Sequence, residues 1–173
     1  EAVRQIDHIY GHLAKTEIYR GYRPTPIAVT GVLAIACAAA QPLFVAAESP
    51  VGFVVFWVSV AAICIGIVSA EIVYDYFTTR SVMLRLTARR ALCQFLPCLA
   101  AGAFLAVLFA SVATNLVGLL PGLWSILFGM GVFASRPYLP RAIGWVGLFY
   151  FLAGCALLAF GEASLEPWGM GCI

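Results

Sequence analysis

Charge is what this chain has least of. Asp, Glu, Lys and Arg make up 10% of its 173 residues while 63% are hydrophobic, too little polar surface to cover a water-soluble globule of that size. Histidine occurs twice, at His8 and His12, and neither falls within a long apolar run, which argues against a bis-histidine membrane cytochrome. The long apolar runs also lack Lys, Arg and Asp in their interiors, the groups that hold an ion or relay a proton in hydrocarbon. The six cysteines (Cys37, Cys64, Cys93, Cys98, Cys155 and Cys172) form no CxxC and no zinc or iron-sulfur spacing, and read as small buried hydrophobes. There is no Gly-rich phosphate loop, no serine-nucleophile motif and no catalytic carboxylate pair, and the few arginines do not make a nucleic-acid site. No cofactor is expected.

What is present is apolar sequence in spans. Crossing a hydrocarbon core of about 30 Å takes about 20 helical residues, and five stretches come near that length: 27–47, 51–74, 91–113, 116–135 and 142–160. No signal-peptide pattern precedes the first. Pro24 and Pro26 suit an opening helical turn, where the missing N–H is not needed, and Pro97 predicts a kink in the third span. The fold expected is all-α: one polytopic transmembrane bundle of about five spans over 27–160, with a segment before it at 1–26. The tail 161–173 reads as the first turns of a further apolar segment.

The basic residues sort by loop. Arg4, Lys15, Arg20 and Arg23 precede the first span; Arg80, Arg85, Arg89 and Arg90 follow the second; Arg136 and Arg141 follow the fourth. That places all ten on one side of a five-span arrangement, with Glu48, Glu162 and Glu166 on the other. Lys and Arg in short loops stay on the cytoplasmic side, so the N-terminus is expected inside and the C-terminus outside.

Between helices in lipid the hydrophobic effect contributes little, and small residues let backbones approach. Gly118, Gly122, Ser125 and Gly129 recur at spacings of four, three and four, one stripe of the fourth span; Gly147 and Gly154 repeat the device in the fifth. The stripe is expected to form a close helix-helix seam, with an intersubunit face as the alternative. Trp124 and Tyr150 fall deep in their spans, where the indole N–H and phenol O–H need partners, and so are expected to face other helices.

Few residues could carry chemistry. Glu71 lies about a turn from the inner end of span two and reads as a headgroup-level residue, with a functional carboxylate in an inner pocket as the alternative. His8 and His12 stand four apart and would share a helix face, the weak basis for a metal site with Asp7 or Glu17. The better reading of that segment is an amphipathic interfacial helix carrying Ile6, Ile9, Tyr10 and Leu13. The stretch 78–90, with Arg80, Arg85, Arg89 and Arg90, reads as a basic connector able to dock anionic lipid or a cytoplasmic partner.

The run Leu120-Pro121-Gly122-Leu123-Trp124-Ser125-Ile126-Leu127-Phe128-Gly129, the loop Arg136-Pro137-Tyr138-Leu139-Pro140-Arg141 and the apolar stretch from Gly144 to Phe160 resemble uncharacterised bacterial inner-membrane proteins of five to six helices. The resemblance covers the C-terminal third to half of the chain. It implies a fold and a bacterial plasma-membrane location, and it implies no activity. By elimination the sequence points to a non-catalytic accessory or regulatory protein that interacts with membrane lipids and docks a protein partner or a second copy. The rivals are a small transporter or channel for an apolar or weakly polar solute, and a lipid-acting enzyme using Glu71, His8 and His12.

Overall fold

Backbone amides in hydrocarbon must be satisfied within their own segment, so long apolar sequence of this kind folds as helix. The computed structural model describes residues 24–45, 49–78, 82–138 and 142–160, and among these every regular element is helical. In chain order they are α1 (Pro24–Phe44), α2 (Pro50–Thr78), α3 (Val82–Ser111), a 3-10 segment (Thr114–Leu119), α4 (Leu120–Ser135), a short 3-10 turn (Arg136–Tyr138) and α5 (Ile143–Phe160). Three stretches are long and apolar enough to cross a membrane: Pro50–Tyr74, Arg89–Ser111 and Thr114–Tyr138. Two shorter apolar helices, Ala28–Phe44 and Ile143–Ala159, accompany them.

Proline marks where helices begin. Pro24 and Pro50 open α1 and α2, and Pro121 sits in the first turn of α4, positions that need no N–H donor. Pro97 lies inside α3. The basic stretch expected as a connector is helix from Val82 onward; Met, Leu, Ala and Arg are good helix formers, and their propensity carries α3 back through the arginines. The turn expected around Thr114 and Asn115 is wound into 3-10 helix, so Gly118 stands there and outside α4.

The exterior is as apolar as the interior. Leu43, Val32, Val107, Phe104 and Trp145 are all more than half exposed, an arrangement that water would penalise and lipid does not. The core sits where α1, α2, α3 and the 3-10 segment converge: Ala38, Phe53, Val54, Trp57, Val60, Ala106, Phe109, Val117 and Leu120. Leu120 and Val117 are fully buried there.

Packing divides the bundle unequally. The most extensive interface is between α4 and α5, followed by α3 with α4; α1 pairs with α2, and α2 meets α3 sparsely. The α4–α5 seam is built from glycine. A β-carbon on Gly129 would lie 2.8 Å from the carbonyl oxygen of Gly147, and one on Gly154 would lie 2.7 Å from that of Gly122. Helix backbones therefore touch where those side chains are missing.

Residues 1–23, with His8 and His12, as well as Arg80, Arg141 and the tail 161–173 lie outside the described residues, and the end of the expected N-terminal segment, 24–26, is the start of α1. Arg85 belongs to the first turn of α3, with its side chain also outside them.

Candidate functional site

Helices that pack tightly on one side and sparsely on the other leave space between them, and here the space is a partly open cavity of about 420 Å³. That volume falls in the range of small-molecule sites, roughly 300–1,000 Å³. Helix α2 contributes Trp57, Val60 and Cys64; α3 contributes Phe95, Cys98 and Gly102; α4 contributes Trp124, Ser125 and Phe128; α5 contributes Tyr150. Among the described residues, no Asp, Glu, Lys, Arg or His lines it.

Two tryptophans are fixed in its wall by hydrogen bonds between helices. The indole N–H of Trp57 donates to Gln41 Oε1 on α1 at 2.9 Å, with both residues buried. The indole N–H of Trp124 donates to the carbonyl of Gly102 on α3 at 3.0 Å. Each donor would otherwise stand unpaired in an apolar medium, so each bond selects one orientation of the ring. Phe56 meets Trp57 edge-on with centroids 5.6 Å apart, which braces the indole from its own helix.

At the α3–α5 side three aromatic rings run together. Phe95 packs edge-on against Phe128 at 5.3 Å, and Phe128 meets Tyr150 at 4.6 Å. An edge-to-face pair such as Phe95–Phe128 contributes about 0.5–1.5 kcal/mol beyond its buried area. Nearer the arginine end, the hydroxyl of Ser135 donates to the carbonyl of Ala91 at 3.1 Å and ties the end of α4 to α3.

Ser125 differs from three other hydroxyl residues of the bundle. Ser59, Thr78 and Ser111 each return the hydroxyl to the carbonyl four residues back, at 2.7 Å. Ser125 makes no such bond, although it is only 4% exposed and lines the cavity. Among the described residues no sealed side-chain nitrogen or oxygen lacks a partner, so the Ser125 hydroxyl keeps its contact with the cavity space.

The stripe read from spacing thus divides by role. Gly122 and Gly129 face α5, Ser125 lines the cavity, and Gly118 stands in the 3-10 segment. Glu71 is half-buried on α2 and lines no part of the cavity; Arg89 and Arg90 are exposed near the start of α3. Trp124 and Tyr150, deep in their spans, both reach it. Sequence reading did not single out Trp57, Phe95 or Phe128. The available signal was Gln41, a polar residue within an apolar run that needed a partner at similar depth.

Comparison with known proteins adds no relative: no protein-family model, no curated protein and no solved structure matches the chain.

Proposed function

We propose that this protein crosses the membrane five times, with its N-terminus on the cytoplasmic side, and binds or carries a neutral, apolar or weakly polar small molecule within the bilayer. The observation that carries the reading is the uncharged cavity walled by two hydrogen-bonded tryptophans and the Phe95–Phe128–Tyr150 cluster. Fixed walls suit recognition, because side chains that are already ordered lose little freedom when a ligand arrives. Among the described residues no charged side chain lines the cavity, which disfavours ions and charged metabolites, since they would enter without a compensating partner.

Five crossings are supported by the two shorter apolar helices, which with the three longer stretches complete a bundle, and by the sorting of all ten basic residues to one side. Reporter fusions test this. Alkaline phosphatase should be active when fused after Ser49 and inactive after Thr78, whereas an even number of crossings would place the final helix's end on the cytoplasmic side.

Ala103 lines the cavity from α3, and the substitution Ala103→Phe adds a ring to that space. Native mass spectrometry of the full chain in nanodiscs should show wild-type protein carrying a small molecule that the variant lacks, at unchanged thermal stability. Equal spectra with no bound molecule in either would end the carrier reading. Docking through the arginines is the second reading, favoured by the exposure of Arg89 and Arg90.

A further inference from the structure

Resting on the cavity reading, we infer that the ligand is a long-chain neutral molecule carrying one oxygen function, a hydroxyl or a carbonyl, which hydrogen-bonds to Ser125. The cavity's polar inventory is short. Both indole N–H groups in its wall are already committed, Trp57 to Gln41 and Trp124 to Gly102. Besides the weakly polar thiols of Cys64 and Cys98, that leaves the hydroxyls of Ser125 and Tyr150.

A serine within a transmembrane helix can satisfy its hydroxyl on the preceding turn, as Ser59 and Ser111 do here. Ser125 is only 4% exposed, and it makes no such bond while lining the cavity. An unpaired hydroxyl in an apolar wall costs free energy unless something in the cavity meets it. A hydroxyl both donates and accepts, so an alcohol or a carbonyl oxygen serves equally.

The remainder of the lining specifies the rest of the molecule. Val60, Leu99, Ala106 and the aromatic cluster accept hydrocarbon and nothing that needs solvation. The sparse contact between α2 and α3 gives a chain-like molecule a lateral route from lipid that does not require crossing a headgroup layer. Ser125 then sets the position of the oxygen end, and Tyr150, on α5, is the second hydroxyl within the lining.

Trp57 and Trp124 both line the cavity, so with the exposed Trp145 and with Trp168 replaced by Phe throughout, bromine quenching of tryptophan fluorescence reports occupancy. The full chain in nanodiscs is titrated with bromododecanol and with bromododecane, concentrations being counted per lipid. Saturable quenching is expected from the alcohol at about fivefold lower concentration than from the alkane, the worth of one net hydrogen bond. Ser125→Ala should bring the two probes together without changing the alkane's curve. Saturable but identical curves in wild type would overturn the oxygen assignment and leave the cavity reading standing. Quenching by both probes that merely follows bilayer partition would overturn the cavity reading itself. A preference that survives Ser125→Ala and disappears in Tyr150→Phe would overturn Ser125 as the recognising residue.

Discussion

Gly154→Leu is expected to separate α5 from α4 and to lower stability by about 3 kcal/mol, the upper end of overpacking costs. The first atom of any side chain at Gly154 would lie 2.7 Å from the Gly122 carbonyl oxygen, 2.7 Å from Ile126 Cγ1 and 2.9 Å from the Ile126 backbone nitrogen. Two of those three atoms belong to the backbone of α4, which cannot rotate away as a side chain can. The helices must therefore part, and the most extensive interface in the bundle loses its contact. Gly66 provides the control, since a β-carbon there meets nothing within 4 Å. Gly66→Ala should be neutral or slightly stabilising, because alanine loses less backbone entropy in a helix by about 0.5–1 kcal/mol. Thermal unfolding in a mild detergent, followed by loss of helical circular dichroism and by size-exclusion chromatography, checks both. A Gly154→Leu protein that unfolds with wild type would show that the seam contributes no stability. If it were stable but changed its oligomeric state, the glycines would be serving a contact between copies.

The second large effect belongs to Gln41. Gln41→Leu removes the acceptor from the Trp57 indole, both residues being buried between α1 and α2. Hydrogen bonds between helices in membranes are worth about 0.6 kcal/mol on average and up to about 2. This one lies toward the high end, because the stranded N–H remains in an apolar core. Gln41→Leu should cost about 1–2 kcal/mol, and the double variant Gln41→Leu/Trp57→Phe should cost less than the sum of the singles, since neither polar group is then left behind. Additive losses in that cycle would mean that the two side chains do not act as a pair. The emission of Trp57 gives a second readout, shifting when the bond to α1 is lost.

The sequence made the helical character legible, because an apolar run of sufficient length leaves the backbone no alternative. It also made legible which residues share a face of α4, since Gly122, Ser125 and Gly129 recur at helical spacing. Spacing is a property of one helix, however, and says nothing of what lies opposite. That Gly122 and Gly129 meet α5 while Ser125 lines a cavity depends on how three helices converge. Trp57 and Phe95 were invisible for the same reason: in a chain that is 63% hydrophobic, an aromatic residue in a cavity wall reads like one facing lipid. Only residues with a polar atom at depth gave themselves away. Trp124 and Tyr150 did so through their tips, whereas Gln41, near the outer end of its span, looks like a boundary residue in the sequence and its pairing with Trp57 is visible only in the structure.

The 3-10 segment Thr114–Leu119 touches α2 as well as α3 and α4, and its Val117, second only to Leu120, is buried more completely than the rest of the core. That end of the molecule is consequently a keystone: α2, which α3 holds sparsely, is joined there to α3 and α4 through one short segment, so a larger side chain at Val117 would disturb three helices at once.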